Sequence, residues 1–343
     1  MDVYQNYSGK IILVTGGAGA IGRNLVEALS KLNAKKVIIL DNLSSSYIWN
    51  VPNMENVLFI KGDIRNDNDL KRVFHHKPTI IFHLAAFFAN QNSVDYPLLS
   101  EDVNGKGILN LLEYSVISGI VERFIYTNSE GGAYGKDCIL PYKEDQISFD
   151  LSSPYYISKM AGESYCYFYY NHYKLPVSVL RLFNSYGPGE VPGQNRNVIP
   201  NFIYWALKKQ PLPLTGNNSI SRDFVFIDDT VDGILRAGLL NKSIGTSINI
   251  ATSQETFIYD LAQLINKKTS NPSGIKILKS RKWDAREKII GDNQKCREIL
   301  KLKPETKIEK GIDVTIKWFL DNWEHIEKSA EFYPGLNNAL DVE

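Results

Sequence analysis

The sequence predicts an α/β fold: a doubly wound parallel sheet followed by a smaller C-terminal α/β unit. Three observations lead there. Short apolar runs alternate with segments of helical period through the first half. The first run ends in a glycine-rich turn that opens a helix. The rhythm then breaks after Phe183.

The first strand is expected at 10–15 (KIILVT) and its helix at 21–32. Further strands are expected at 36–40, 57–61, 79–84, 123–127 and 176–183. Their apolar residues are consecutive, as in strands buried on both faces. Helices are expected between them at 67–75, 103–119 and 154–173. Residues 185–197, rich in Gly, Pro and Asn, read as a loop. Helices follow at 199–209, 229–240, 256–268, 293–300 and 309–323, with strands at 223–227 and 247–251. The expected division is a first domain over 1–183, a second over 184–330 and a tail over 331–343. Segments near 223–253 are expected to return to the main sheet.

The 343 residues carry 39 basic and 38 acidic side chains, a net charge of +1. That balance offers no footprint for nucleic acid or an anionic membrane. Three scattered cysteines, Cys138, Cys166 and Cys296, suit neither a disulfide framework nor a zinc site. No metal is expected. With no signal-peptide pattern at the start and no apolar stretch of spanning length, a cytoplasmic location is expected.

The strongest local signal is TGGAGAIG at 15–22. Glycines at 16, 17, 19 and 22 permit a tight turn and close approach to a pyrophosphate. The helix that follows offers free N–H groups and a favourable dipole. A glycine-rich turn alone proves little. Here a strand precedes it, a helix follows, and Asp41 ends the second strand, 19 residues past Gly22. A carboxylate there accepts the adenosine ribose hydroxyls and repels a 2′-phosphate, which favours NAD over NADP. Asp63 ends the third strand, where it reads as an adenine contact or a turn cap.

Tyr155 and Lys159 are four apart on the helix that Pro154 opens, so they share one face. An ammonium there stabilises a phenolate and suits it to base catalysis. Ser129, just past the fifth strand, is placed to share a substrate proton or to be a turn serine.

The ordered pieces LDNLSSS (40–46), GDIRN (62–66), HLAA (83–86), VNGKG (103–107), SPYYISK (153–159), RLFNSYGPG (181–189), NVIP (197–200), RDFVFIDD (222–229) and RKWD (281–284) join the glycine turn in one pattern. Over about residues 10–325 the chain resembles the extended short-chain dehydrogenase/reductase family, and within it the UDP-glucose 4-epimerase-like nucleotide-sugar enzymes. The resemblance implies that Gly16, Gly19, Ala20, Ile21 and Gly22 cradle the NAD pyrophosphate. It implies that Asp41, Asn42 and Ser46 hold the adenosine ribose, and Asp63 with Ile64 the adenine. Leu84, Ala85, Ala86 and Asn104 would line the cofactor channel, with Phe183 bordering the nicotinamide. Tyr155 would be the base, with Lys159 and Ser129 its partners. Asn184, Asn197, Val198, Arg222, Arg281 and Asp284 would bind a nucleotide-sugar substrate. A homodimer through the helices at 103–119 and 154–173 is expected; core packing is the alternative use of their tyrosines.

Dehydratase members carry an Asp-Glu pair after the hydroxyl residue, whereas Glu130-Gly131 lacks the second acid. That counts against 4,6-dehydration, and the reaction the resemblance implies is C4 epimerisation. Decarboxylation, reduction, 4,6-dehydration and a non-catalytic NAD sensor are the rivals.

Overall fold

Residues whose side chains alternate between two apolar faces build the central sheet. The computed structural model describes residues 3–279 and 286–332. The first half runs β1 (Ile11–Thr15), α1 (Ala20–Lys31), β2 (Lys36–Asp41), β3 (Val57–Lys61), α2 (Asp67–Phe74) and β4 (Ile80–His83). Two short helices follow, α3 (Asn90–Asp95) and α4 (Pro97–Glu101), then α5 (Gly107–Ser118), β5 (Arg123–Ser129), α6 (Pro154–Tyr173) and β6 (Val177–Leu182).

The second half adds β7 (Asn184–Tyr186), α7 (Val198–Leu207), β8 (Leu212–Thr215), β9 (Ser221–Arg222), β10 (Phe224–Phe226), α8 (Ile227–Leu239) and β11 (Ser247–Ile250). It ends with β12 (Thr256–Phe257), α9 (Ile258–Lys268), β13 (Ile275–Leu278), β14 (Lys288–Ile289), α10 (Ile308–Asp321) and α11 (Trp323–Ser329).

The main sheet has the order β11-β6-β5-β4-β1-β2-β3, and its strands are parallel. Ile12 and Val14 join the core that contains Leu25 and Leu29 of α1 and Ile234 of α8. Leu13, between them, joins the opposite core with Leu70, Leu111 and Cys166. The chain reverses its direction of travel between β1 and β4. That switch point opens a crevice beyond the carboxyl ends of the strands. Three small sheets, β7 with β10, β8 with β13, and β9 between β12 and β14, supply the second half's strands outside the main sheet.

The sequence predicts one helix over 103–119, but the structure starts earlier, at Pro97, and widens into a π-helical turn at Asp102–Lys106. Close packing accompanies the widening. A Cβ at Gly107 would stand 2.4 Å from Ile64 Cδ1. The helix and the loop after β3 pack most closely at this glycine.

Candidate active site

A cleft of about 540 Å³ runs from the glycine turn to the start of α6. At one end Gly16 adopts φ +71°, and an added Cβ would lie 2.6 Å from Ala85 N. A Cβ at Gly22 would meet Gly16 O at 2.1 Å. The backbone therefore folds on itself as only glycine allows. Gly19 precedes α1 with no side-chain cap, so the first N–H groups of α1, near Ala20 and Ile21, face the cleft unspent. This cradle fits a dinucleotide pyrophosphate.

Asp41 is held ready beside it. Its carboxylate accepts hydrogen bonds from Ala18 N (3.0 Å), Leu43 N (2.9 Å) and Ser46 Oγ (2.9 Å). Ser46 thus spends its hydroxyl on Asp41. Asn42 donates to Asp63 Oδ2 (3.0 Å), and Arg65 grips the same carboxylate from both sides. The Arg65 hydrogen bonds hold the Asp63 carboxyl at about 2. With Arg65 N also donating, four donors occupy Asp63, so an adenine amino contact has to displace one of them. Ile64, Leu84, Ala85, Ala86 and Phe183 line the cleft. Asn104 lies behind it, buried, accepting from Phe87 N (2.8 Å) and donating to Ser158 Oγ (3.1 Å). It fixes the channel wall from outside.

The other end is built on α6. Ser153 caps the helix, accepting from Tyr156 N (3.4 Å) and donating to Asn90 Oδ1 (2.7 Å). Tyr155 and Lys159 then project together into the cleft. Both are buried. Burial, reinforced by Tyr156 and Glu130, pushes the Tyr155 phenol up. Burial also lowers the Lys159 ammonium to about 7, with Cys166 and Glu163 partly opposing it. Lys159 Nζ sits 4.4 Å from the centre of the Tyr126 ring, a cation–π contact for the charged form.

Between about pH 7 and 10.5 the unfolded chain keeps a proton on Lys159 that the folded chain has released. Stability from this group therefore rises with pH across that window, and the full cost of burying the charge is felt below it. Lys159→Met in cofactor-free protein is expected to raise Tm at pH 6, with the gain shrinking towards pH 9. A gain that stays constant with pH would refute the assignment.

Ser129 ends β5 at the same end of the cleft, and its hydroxyl donates to Glu130 Oε2. Asn184 points a buried Nδ2 with no partner, which leaves an N–H donor for a ligand. Asn197 precedes α7 without a side-chain cap, and Val198 begins that helix at the cleft wall. Arg222 lines the cleft while donating to Ser221 O (2.7 Å) and Glu287 O (3.0 Å). Arg281 and Asp284 lie outside the described residues.

Several cleft residues escape sequence reasoning. Arg286 is buried with Glu130 (3.5 Å) and lies over the rings of Tyr142 and Tyr156. Arg196 donates to Ser45 O, bridging the 190–197 segment to the loop after β2. Glu190 is a buried carboxyl pushed up by burial and opposed by Arg196. Nothing in the local sequence marks Arg286 or Arg196, because Glu130 is 156 residues from the first and Ser45 is 151 residues from the second. Among the described residues no cluster of metal-ligating side chains is present, and no helix is long and apolar enough to cross a membrane.

The profile of the NAD dependent epimerase/dehydratase family matches residues 12–251. The UDP-glucose 4-epimerase of Mycolicibacterium smegmatis is 34% identical over 310 residues, covering 90% of this chain and 97% of that one. An epimerase of Methanothermobacter thermautotrophicus superposes with TM-score 0.95 at 48% identity, covering 97% and 98% of the two chains. The UDP-glucose 4-epimerase of Thermotoga maritima, solved with UDP-glucose, gives TM-score 0.86 at 33% identity, covering 91% and 99%.

Proposed function

Since this chain belongs to the NAD-dependent epimerase/dehydratase family, we propose that it inverts C4 of a nucleotide-diphosphate sugar, a UDP-hexose, through a 4-keto intermediate. One observation carries the reading: Ser129, Tyr155 and Lys159 share a single cleft with the glycine cradle and Asp41. Gly16, Gly19, Gly22 and Asp41 would hold NAD, which would supply a hydride acceptor and donor for C4.

The chain's own residues do the rest. Tyr155, as phenolate, removes the 4-hydroxyl proton and later gives it back. Burial taken alone keeps Tyr155 protonated and Lys159 neutral; a phenolate and an ammonium side by side offset that cost, so the pair forms and titrates together. Ser129 fixes the hydroxyl. The Asn184 amide, the opening turn of α7 and Arg222 hold the diphosphate. The walls exclude water from the ketone.

Room at position 131 argues against 4,6-dehydration. A Cβ at Gly131 would lie 2.1 Å from Tyr156 Cε1, so no second acid fits there beside Glu130. In this reading residues 1–183 hold the cofactor and 184–330 hold the substrate. The three free cysteines suit a reducing cytoplasm. Val94, Tyr96, Leu98, Ile157 and Phe168 form exposed apolar surface on α3, α6 and the loop and helix between them, which suits a homodimer.

The test is incubation with UDP-glucose, UDP-N-acetylglucosamine and UDP-glucuronate separately, without added NAD, followed by proton NMR. A galacto-type anomeric signal with no net NADH is the expected result. Loss of C6, a 4-keto-6-deoxy product or no change overturns the epimerase reading. Turnover of any kind removes the sensor alternative.

A further inference from the structure

Residues 187–197 lead from β7 to α7, and their root is firmly held. Pro188 O accepts from Asn24 Nδ2 of α1 (2.8 Å), and Gly189 O accepts from the buried Asn50 Nδ2 (2.8 Å). Gly193 N donates to Asn201 Oδ1 of α7 (2.9 Å), and Asn201 Nδ2 donates back to Gly193 O (3.0 Å). Gln194 N donates to Glu331 O (2.8 Å). The Glu190 carboxylate accepts from Asn197 N (3.3 Å), which draws the two ends of the segment together.

The tip is held differently. Asn195 Nδ2 donates to Asn92 Oδ1 on α3 (2.6 Å), and Arg196 donates to Ser45 O in the loop after β2. These two anchors stand on opposite sides of the glycine turn. In the main sheet β1 lies between β4 and β2, and the glycine turn follows β1. Asn92 lies beyond β4 and Ser45 beyond β2. Two consecutive residues thus grip both flanks, and the backbone that joins them spans the crevice at the carboxyl end of β1. Gln194, Asn195, Arg196 and Asn197 all line the cleft.

We propose that Arg196 and Asn195 are positioning residues for the cofactor: they clasp the 190–197 strap across the cleft over NAD, and so set how slowly NAD leaves. The inference rests on the placement of NAD along Gly16, Gly19, Gly22 and Asp41 given above. A dinucleotide there has strand ends beneath it, the strap over it, and the loops carrying Ser45 and Asn92 on either flank. Both tip bonds come from partly exposed side chains, whereas Gly189, Glu190 and Gly193 at the root are buried. The tip therefore opens without unfolding the root. A reaction that takes a hydride and gives it back is served by a cofactor that stays through many turnovers.

The strap runs straight into Asn197 and Val198 at the start of α7, where the substrate diphosphate is placed above. UDP bound there favours the closed strap, so UDP alone should slow NAD release.

The experiment uses the full chain loaded with NAD and freed of excess. Released NAD is trapped by alcohol dehydrogenase and ethanol in large excess and read as NADH fluorescence. Arg196→Gln is expected to speed release by about tenfold or more, because a guanidinium bond is lost, and Asn195→Ala by about fivefold. The double variant should show about the product of the two, since the bonds grip opposite flanks. Saturating UDP should slow release from the unaltered chain, and much less from the double variant. Asn195→Ala leaves the Glu190–Arg196 contact intact, so it decides the matter if Arg196→Gln does not fold.

A structural role lowers the melting temperature of the NAD-free variants and leaves release unchanged; that result overturns the proposal. No effect of UDP on the unaltered chain overturns the link to the substrate site. An unaltered chain that neither carries NAD nor takes it up sinks the cofactor placement and the proposed function with it. Tightly held NAD that leaves the variants no faster sinks the clasp alone.

Discussion

Tyr155→Phe is expected to lower kcat by about three orders of magnitude, within the range for loss of a general base, while bound NAD is retained. The side chain is buried and its ring packs edge-on to Phe88, with centroids 6.2 Å apart. Phenylalanine keeps that ring and deletes only the hydroxyl. Fold and cofactor cradle should be untouched, since the cradle lies at the opposite end of the cleft. The comparison needs kcat at saturating substrate, a thermal melt and the NAD content of denatured protein. Turnover within a few-fold of the unaltered chain would remove Tyr155 from the mechanism. Loss of NAD together with activity would instead make it a structural residue.

The second large effect lies one layer behind the site. Arg181→Met should destabilise the protein by roughly 3–5 kcal/mol, as expected when one partner of a buried ion pair is removed. Arg181 on β6 is 2% exposed and donates to Glu163 Oε1 on α6 at 2.7 Å. It also donates to Tyr134 OH (3.0 Å) and Glu144 O (3.1 Å). Burial pushes the Glu163 carboxyl up, but Arg181 with Ser247 and Asn128 outweighs it and holds the group below its ordinary range. Glu163 thus contributes stability above the unfolded carboxylate value and loses it as pH falls.

Without Arg181 the charge loses the cation that hydrogen-bonds it. Asn128 bonds Glu163 (2.5 Å) and also accepts from Ser129 N (2.7 Å), so the disturbance reaches the strand end that carries Ser129. Urea unfolding at pH 7 measures the loss. Arg181→Met/Glu163→Leu should recover most of it, because the pair is then replaced rather than broken. A loss under about 1 kcal/mol for the single variant would show that the pair is not electrostatically buried.

The fold was largely legible because its signals are local. Apolar runs, the glycine turn and the Pro154 start of α6 are each set by neighbours in sequence, and the sheet order follows from the doubly wound rhythm. The π-helical turn at Asp102–Lys106 was not legible, because the close packing of Ile64 on Gly107 that accompanies it joins residues 43 apart in sequence. Serine, tyrosine and lysine could be named from spacing along one strand end and one helix. Arg286 could not, since it lies five positions past Arg281 and only RKWD matched a pattern.

The sequence by itself determined the parallel sheet, the dinucleotide cradle and the Tyr155–Lys159 face, because backbone period and glycine stereochemistry act over a few residues. Tertiary structure decided which charges meet. Glu130 finds Arg286 from 156 residues away, Glu163 finds Arg181 across a helix and a strand, and Arg65 reaches Asp102, 37 residues on. Burial then sets the protonation of Tyr155 and Lys159, because the cost of a charge depends on the solvent that folding removes and not on neighbours in the chain.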